Sequence, residues 1–339
     1  MDALRKTAVL IAAFLGAGLA NPARAAEQEL TLVTAWSNNI DFTKDALLLA
    51  DAINQAGQGV VHVRHIGGPE VIPQRQMAYA LKRGVVDMYF GAATYTIGLA
   101  PEADAFLGSA LTPMELRANG AFTEIERIWN EKLNAHFLGW HQTGPGLHIF
   151  LRGDPELRAD GLPKVEGLRI RTTPTYRAFL DAMDTIPVDI PSSDVYTALE
   201  RGTVDGMAWS ATAMETEGFQ KFVHARINPG VLQYAMTMQI NLDAWNRLSP
   251  EARRIIDAQA VQFEIDSRAR FLGYAETEWA ELQRQGMHGF ELSPEAAAKY
   301  RALAVEAVWA RMAKSVPESV KTLRPLFDPA GAKAANYPN

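Results

Sequence analysis

The chain of 339 residues contains no cysteine. This absence excludes disulfide bonds, thiol nucleophiles, thiolate metal sites and a lipid anchor attached through cysteine. An excess of positive charge is also lacking, because 33 lysines and arginines face 39 aspartates and glutamates, for a net charge of −6. Nucleic-acid binding needs a basic face, so this balance argues against nucleic acid as a partner. An anionic ligand must then be captured by a local group of residues, because the field of the whole protein does not attract it.

The sequence motifs of common catalytic sites are missing as well. There is no G-x-S-x-G turn for a serine nucleophile, and there is no G-x-G-x-x-G or Walker loop for a nucleotide. The seven histidines include His62 with His65 and His141 with His148, but neither spacing is a metal-binding signature. We therefore predict a protein that is not an enzyme and that uses no metal or cofactor.

One long hydrophobic run is present, and it lies at the start of the chain. Arg5 and Lys6 precede an almost unbroken apolar stretch over 7–20, and the small residues of A-R-A at 23–25 suit signal peptidase. The run is too short to span a bilayer comfortably. We expect cleavage after Ala25 and a periplasmic location, since an exported chain without disulfides suits that compartment.

Beyond the leader, predicted strands and helices alternate. Strands at 30–35, 60–66 and 84–90 are separated by helices at 42–56 and 74–83, with short connections. This order is typical of a parallel sheet covered by helices. A mature length of roughly 310 residues is more than one hydrophobic core usually serves. The predicted fold class is therefore α/β with two lobes.

The second half of the chain repeats part of this order. The sequence A-L-K-R-G-V-V-D at 80–87 has a counterpart, A-L-E-R-G-T-V-D, at 198–205. The same helix, glycine and strand therefore occur twice, which suggests two similarly built halves. Two further predictions are a single helix over 113–133 and a single apolar strand over 231–242, which can return to the first lobe.

A long helix and a glycine-rich break set the expected lobe boundaries. Ser249-Pro250-Glu251 opens a helical pattern that continues to Gly286. At about 1.5 Å per residue this helix approaches 50 Å, which is long enough to lie along both lobes. Gly144-Pro145-Gly146 marks a crossing between them. The expected division is a signal peptide at 1–25, lobe I at 26–148 with about 238–285, and lobe II at 149–237 with about 286–339.

The strongest candidate for a ligand-binding residue is an arginine in the second half. In the predicted strand at 168–171, Leu168 and Ile170 point one way, and Arg169 and Arg171 the other, before Thr-Thr-Pro ends the strand and opens a helix. An arginine at such a corner can form two parallel hydrogen bonds with a carboxylate. The alternative is a pair with a surface carboxylate, which is the commoner role of an arginine.

Together with sequences in both halves, this stretch resembles the substrate-binding proteins of TRAP transporters, the tripartite ATP-independent periplasmic uptake systems. The resemblance extends from about residue 30 to 326 and rests on G-L-R-I-R at 167–171, D-V-Y-T-A-L at 194–199, G-T-V-D-G at 202–206, A-L at 80–81, G-V-V-D at 84–87 and A-P-E at 100–102. It implies a periplasmic binding protein fold with a cleft between two α/β lobes, crossing strands and a long spanning helix. It also implies delivery of an organic acid to membrane permease subunits, with no chemical step.

The resemblance also implies roles for single residues. Arg171 falls on the family's arginine that grips the ligand carboxylate. Trp209 replaces an asparagine that faces the ligand in many relatives, and His148 falls near a second arginine found in many of them. Both changes remove polar groups and add ring surface, so we expect a monocarboxylate with an apolar or aromatic body. The predicted ligand-binding residues are Arg171, Trp209, His148, Trp36, Tyr95, Trp140, His141, Ser192 and Tyr196.

The sequence is compatible with other ligands and other roles. If Trp209 points into the core, the ligand is instead a small 2-oxo or hydroxy acid, or a dicarboxylate. A receptor of the same fold that presents its ligand to a sensor kinase has the same sequence features. A secreted hydrolase or lyase is disfavoured by the missing nucleophile, metal cluster and cofactor loop.

Overall fold

The structure, a computed structural model, describes residues 26–329, so the predicted signal peptide at 1–25 lies outside it. Strands and helices alternate through the described chain, as expected of the α/β class. The strands are β1 (Gln28–Thr34), β2 (Val61–Gly67), β3 (Met88–Ala92), β4 (Ala135–His141), β5 (Gly146–Leu151), β6 (Arg169–Thr172), β7 (Ile186–Asp189), β8 (Gly206–Ser210), β9 (Ala225–Asn228), β10 (Val231–Gln233), β11 (Met236–Asn241) and β12 (His288–Glu291). The helices are α1 (Asp41–Ala56), α2 (Met77–Lys82), α3 (Asp104–Leu107), α4 (Pro113–Ala118), α5 (Ala121–Leu133), α6 (Pro174–Ala182), α7 (Val195–Glu200), α8 (Leu242–Arg247), α9 (Pro250–Arg284), α10 (Pro294–Ser315) and α11 (Pro317–Phe327).

Two sheets form the centres of the two lobes. Lobe I has the strand order β2-β1-β3-β11-β4, in which β1 runs parallel to β2 and β3 while β11 runs antiparallel to β3 and β4. Lobe II has the order β12-β9-β5-β8-β6-β7, with β10 paired to β5. Helices connect the parallel strands and cover the sheets, because a parallel pair needs a crossover connection. The described chain thus has the predicted two-lobed α/β architecture.

The repeated sequence has the same structural role in each lobe. In lobe I the carboxylate of Asp87 accepts a hydrogen bond of 2.9 Å from the backbone N of Thr31. In lobe II the carboxylate of Asp205 accepts one of 2.9 Å from the backbone N of Arg169. Each aspartate thus ties the start of one central strand, β3 or β8, to a neighbouring parallel strand. The likeness between 80–87 and 198–205 reflects this shared helix–turn–strand unit.

Two connections between strands cross from one lobe to the other, before β5 and between β10 and β11, and both correct the predicted boundaries. Residues 231–242 do not form one strand: β10 pairs with β5 in lobe II, and β11 lies between β3 and β4 in lobe I. The chain changes sheets at Tyr234 and Ala235, inside a run that is rich in apolar residues and almost completely buried in both sheets. The boundary predicted at residue 148 falls within β5, whose partners all belong to the lobe II sheet.

The helix predicted over 113–133 is broken into α4 and α5. Asn119 ends α4, and Gly120 has φ of 87°, in the left-handed region that glycine adopts without strain. Thr112 caps α4 through a reciprocal hydrogen-bond pair with Glu115. The apolar spacing continues across the break, which is why the pattern alone does not reveal it.

Helix α9 spans both lobes, as predicted. Its N-cap Ser249 accepts a hydrogen bond of 3.1 Å from the N of Ala252, and Pro250 occupies the first helical position. The helix packs against α1 and β4 in lobe I. Near its other end, the Glu278 carboxylate accepts hydrogen bonds from backbone N atoms of Ala213 and Glu215 in lobe II.

The final helices do not follow the predicted assignment to lobe II. Helix α10 packs against α6 of lobe II and also against α3 of lobe I, and α11 packs against α3 and α5 of lobe I. Leu323 and Phe327 form the buried face of α11, and the Phe327 ring lies 5.4 Å from that of Phe106. An amphipathic helix shows in its sequence that it buries one face, but not which lobe it covers. Within residues 26–329 no helix is both long and apolar enough for a membrane span.

Candidate functional site

A small cavity lies between the two lobes, where several parallel strands end. It is bounded by residues that follow the carboxyl ends of β1, β3, β6 and β8, and by the crossing between β10 and β11. Open α/β sheets place ligands at such strand ends. The cavity has a volume of about 40 Å³. Its lining residues are Trp36, Phe42, Ala92, Thr94, Tyr95, Leu147, Arg171, Thr173, Thr175, Tyr176, Trp209, Ser210, Tyr234, Ala235 and Met236.

Arg171 is the cationic residue of this cavity. Its side chain is 1% exposed and is held by hydrogen bonds from Nε to the carbonyl of Ile190 (3.0 Å) and from Nη1 to that of Ala208 (3.2 Å). Burial lowers its pKa below the usual arginine value, but a guanidinium remains charged in proteins. No carboxylate within residues 26–329 forms an ion pair with it. The result is a rigid, buried positive charge that lacks an anion.

The indole of Trp209 lies against this guanidinium. The Cζ atom of Arg171 is 4.8 Å from the centroid of the ring, a distance at which the negative face of the ring stabilises the cation. The indole Nε1 donates to the carbonyl of Thr212 (3.0 Å), and the ring also contacts Phe219 in the core of lobe II. Trp209 therefore supports Arg171 and lines the cavity with part of its ring.

Hydroxyl groups line the cavity together with Arg171. The Oγ1 atom of Thr173 is buried and has no hydrogen-bond partner in residues 26–329. Burial raises the pKa of the Tyr95 and Tyr176 phenols, although the nearby Arg171 acts in the opposite direction. Both phenols therefore stay protonated and can donate hydrogen bonds. The polar side of the cavity offers donors suited to an oxyanion.

The opposite wall is apolar and comes mainly from lobe I. The Trp36 ring packs between Phe42 (5.0 Å) and Tyr95 (5.9 Å), and Ala92 and Met236 complete this side. A cavity with one charged anchor and an apolar wall suits a ligand that has an acid group and an uncharged body.

Two polar contacts close the cleft around the cavity. The hydroxyls of Thr94 in lobe I and Thr175 in lobe II form a hydrogen bond of 2.6 Å. Arg75 Nη2 in lobe I lies 2.5 Å from Asp189 Oδ1 in lobe II, and the Arg75 guanidinium also lies over the Tyr95 ring at 5.2 Å. Because both pairs join the lobes directly, the structure represents the closed cleft.

Four of the predicted ligand-binding residues meet at this cavity: Arg171, Trp209, Trp36 and Tyr95. Trp140 and His141 do not. The Trp140 ring packs on Phe106 at 5.4 Å and donates Nε1 to the carbonyl of Tyr234 (2.8 Å). Because side chains alternate along β4, His141 points the other way, towards α9.

His141 is a core residue of lobe I. Its ring lies 5.1 Å from that of Phe263 on α9, and neither ring nitrogen has a hydrogen-bond partner in residues 26–329. Burial lowers the pKa of His141 to about 3, and the charge of Arg117 acts in the same direction. A neutral imidazole in this position fills space and does not reach the cleft.

His148, Ser192 and Tyr196 also lie away from the cavity lining. The Nδ1 atom of His148 is bonded to the carbonyl of Ile227 (3.0 Å), and the ring lines a different cavity beside α9. Ser192 lies in a turn of 3-10 helix after β7. Tyr196 packs edge-on against Phe222 at 5.0 Å. Residue type and closeness in sequence to the family pattern did not reveal in which direction these three side chains point.

Several lining residues were not predicted. Thr173, Thr175 and Tyr176 follow Arg171 on the same strand-to-helix corner, and this proximity was a usable signal. Thr94 precedes the predicted Tyr95 in the loop after β3. Tyr234 had no usable signal, because it reaches the cavity only through the sheet change between β10 and β11.

Comparisons with known proteins show which family and which folds the chain resembles. Residues 160–315 match the model of a family described as bacterial extracellular solute-binding protein, family 7. A monocarboxylate 2-oxoacid-binding periplasmic protein of Nostoc is 22% identical over 246 residues, which cover 69% of this chain and 65% of the relative. The chain thus spans slightly less than two thirds of that relative's length.

Solved structures share the fold over most of the chain. An extracytoplasmic solute receptor of Bordetella pertussis that binds pyroglutamic acid has a TM-score of 0.76 at 16% identity, covering 88% of this chain and 99% of the receptor. A TRAP periplasmic solute-binding protein of Desulfovibrio salexigens with bound orotic acid has a TM-score of 0.77 at 16% identity, covering 91% and 100%. The predicted fold class is confirmed.

Proposed function

We propose that this chain, which has the fold of the solute-binding proteins of TRAP transporters and matches their family pattern over residues 160–315, is an extracytoplasmic receptor for a small organic acid. The observation that carries the proposal is Arg171, a buried guanidinium that lines the interlobe cavity and has no carboxylate partner in residues 26–329. A buried charge is costly unless it is paired, so a bound anion would supply the missing partner.

Arg171 is proposed to hold the ligand carboxylate. A hydrogen bond to a charged group contributes roughly 1.5–3 kcal/mol, and a guanidinium can form two such bonds in parallel. The buried, unpartnered hydroxyl of Thr173 and the protonated phenol of Tyr176 are further donors in the same wall. Since Nε and Nη1 are fixed by carbonyls, the guanidinium is preoriented and loses little freedom on binding.

A monocarboxylate with an apolar body is the ligand class that this lining supports best. Arg171 is the single lysine or arginine among the residues that line the cavity, so a second carboxylate would have no cationic partner there. Trp36, Leu147 and Met236 add apolar side chains to the lining, and these favour a ligand with an uncharged body.

The volume of the cavity favours a small body, in keeping with the alternative of a 2-oxo or hydroxy acid. At about 10–15 Å³ for one water molecule, a cavity of about 40 Å³ has room for roughly three or four. Trp209 donates a hydrogen bond to the carbonyl of Thr212 and packs against Phe219 in the core of lobe II, so less of its ring is available to an aromatic ligand. The Nostoc relative is described as binding monocarboxylate 2-oxoacids, the Bordetella receptor as binding pyroglutamic acid, and the Desulfovibrio protein has bound orotic acid.

The receptor is proposed to act in the periplasm and to deliver its ligand to TRAP permease subunits. Support comes from the family match and from the closed cleft, in which Thr94–Thr175 and Arg75–Asp189 join the lobes around the cavity. A receptor that presents the same ligand to a sensor kinase would use the same cleft, so the binding test below does not depend on the choice between them.

A thermal-shift screen tests the proposal. Purified protein is mixed with acids of one carboxylate and increasing body size, such as pyruvate, 2-oxobutyrate, 4-methyl-2-oxopentanoate, benzoate and phenylpyruvate, with succinate as a dicarboxylate. We expect stabilisation by at least one small monocarboxylate, and its loss in Arg171→Gln. Arg177→Gln, which changes an exposed arginine on α6, is the matched control. Unchanged stabilisation in Arg171→Gln would refute the proposed anchor.

A further inference from the structure

A second cavity lies in lobe II, between the strands β5 and β9 and the last third of α9. Its volume is about 160 Å³, four times that of the interlobe cavity. It shares no lining residue with the interlobe cavity. Residues in its wall include His148 and Arg226 from the strands, Ala211, and Ala275, Glu276 and Trp279 from α9.

Arg226 gives this cavity its chemical character. The residue is 5% exposed, and its Nε donates to the Oδ1 atom of Asn228 (2.9 Å). In residues 26–329 neither Nη1 nor Nη2 has a hydrogen-bond partner, and no carboxylate lies within 4 Å. Burial lowers the pKa of Arg226 to about 10, so the guanidinium still carries its charge at neutral pH. Two of its three nitrogen groups are therefore available to an occupant of the cavity.

Trp279 fixes the direction from which an occupant can approach. The Cζ atom of Arg226 lies 3.4 Å from the centroid of the Trp279 ring, so the indole covers one face of the guanidinium. Stacking of this kind leaves the edge of the guanidinium free, and hydrogen bonds leave from that edge. An anion in the plane of the guanidinium can accept from Nη1 and Nη2 while the stacked indole stays in place.

The positive charge around the cavity is only partly balanced. The carboxylate of Glu291 is joined to Arg226 through Asn228, whose Nδ2 lies 2.5 Å from Glu291 Oε1. Arg226 and Arg301 both act, with burial, to lower the pKa of His148 to about 3, which shows that the ring lies in a positive environment. The neutral His148 places no further charge in the wall.

The wall also limits which anion fits. Glu276 is exposed and lines the cavity, so its carboxylate repels a dianion more strongly than a monoanion. Ala211, Leu272 and Ala275 add apolar surface to the wall and offer no side-chain hydrogen-bond donor to a large polar ligand.

From these observations we propose that the cavity beside α9 is a second anion-binding site, which holds a small monovalent anion, a carboxylate or a halide, on the edge of the Arg226 guanidinium. The site is separate from the interlobe cleft and does not depend on Arg171. Its occupant adds a counter-charge in direct contact with Arg226 to the indirect one of Glu291, and the site therefore links the stability of this lobe to the anion concentration.

Bromide is a suitable probe because it can be located by anomalous scattering. Crystals of the wild type and of Arg171→Gln, both grown with bromide, are expected to show an anomalous peak within about 3.5 Å of the Arg226 nitrogens. The peak should vanish in Arg226→Gln. It should also vanish in Ala275→Leu, which keeps the arginine and fills the cavity from α9.

A measurement of Tm in solution distinguishes a specific anion-binding site from an adventitious ion. At constant ionic strength, bromide or formate at ten times its Kd should raise the Tm of Arg171→Gln by about 2–4 °C, and should not raise that of Arg171→Gln/Ala275→Leu. Glu276→Gln should tighten the binding. No peak at Arg226 in crystals that bind bromide elsewhere, or a peak without this Tm difference, would overturn the proposal.

Discussion

Replacing His141 with leucine is predicted to stabilise the protein in acid and to leave ligand binding unchanged. In the folded chain both ring nitrogens are buried without partners, and burial lowers the pKa of His141 to about 3. An unfolded histidine has a pKa of about 6.5. As the pH falls below that value, the unfolded state binds a proton that the folded state does not, so the histidine progressively destabilises the fold.

The magnitude follows from the gap between these pKa values. A pH of 5 is about 1.5 units below the pKa of the unfolded histidine, and protonation then lowers the unfolding free energy by about 2 kcal/mol. At pH 7 the unfolding free energy falls by roughly 0.2 kcal/mol. His141→Leu removes this loss, and it also removes two unsatisfied polar atoms beside Phe263, with little change in volume.

The assay is urea unfolding of the wild type and the variant at pH 7 and pH 5. The gain in unfolding free energy for His141→Leu should be about 2 kcal/mol larger at pH 5, and His224→Gln, at an exposed position, is the control. A gain of the same size at both pH values would refute the reasoning. Loss of carboxylate binding in His141→Leu would instead return this histidine to the ligand site.

Three further predictions concern the cleft and the core. Arg75→Gln should weaken ligand affinity by about 1.4- to 5-fold in calorimetry, because the partly exposed Arg75–Asp189 pair contributes about 0.2–1 kcal/mol to closure of the cleft. Arg177→Gln breaks a similar exposed pair within α6 and should leave ligand affinity unchanged. Trp209→Leu should weaken affinity by roughly 2- to 30-fold through the lost contact with Arg171, whereas Trp209→Phe should retain most of it; equal losses would contradict a role for the ring. Arg117→Gln should lower the unfolding free energy by about 3 kcal/mol at pH 8, because it leaves the buried carboxylate of Glu264 without its partner. Burial raises the pKa of Glu264 to about 7, so this carboxyl is protonated at pH 5 and the loss should be smaller there. A loss that does not depend on pH would contradict this.

Much of the fold was predictable because local signals and tertiary structure agree. The strand at 168–171, the serine–proline start of α9 and the repeated A-L-x-R-G unit each fix an element through its own residues. The sheet change at Tyr234 and the assignment of α11 to lobe I were not predictable in the same way. In each of these two places an apolar segment could pack against either lobe. The hydrophobic effect is not directional, so the apolar pattern of the segment does not show which lobe it contacts.

The residues of the candidate site also fall into those that the sequence could predict and those that it could not. The position of Arg171 at the cavity could be predicted because this residue stands at a strand-to-helix corner and matches a family pattern. Trp140, His141 and His148 do not line the interlobe cavity, because alternation along β4 and β5 points their side chains into the core or towards the second cavity. A strand pattern separates the two faces, but it does not identify the face that meets the cleft.

The most direct test of the central claim compares a carboxylate with its neutral amide. Calorimetry would measure the affinity of the best monocarboxylate from the screen, and of the amide of the same body, for the wild type and for Arg171→Gln. If Arg171 holds the carboxylate, the wild type should prefer the acid by about 100-fold or more, as two charge-assisted hydrogen bonds imply, and the variant should lose most of that preference. The same preference in both proteins would contradict the account.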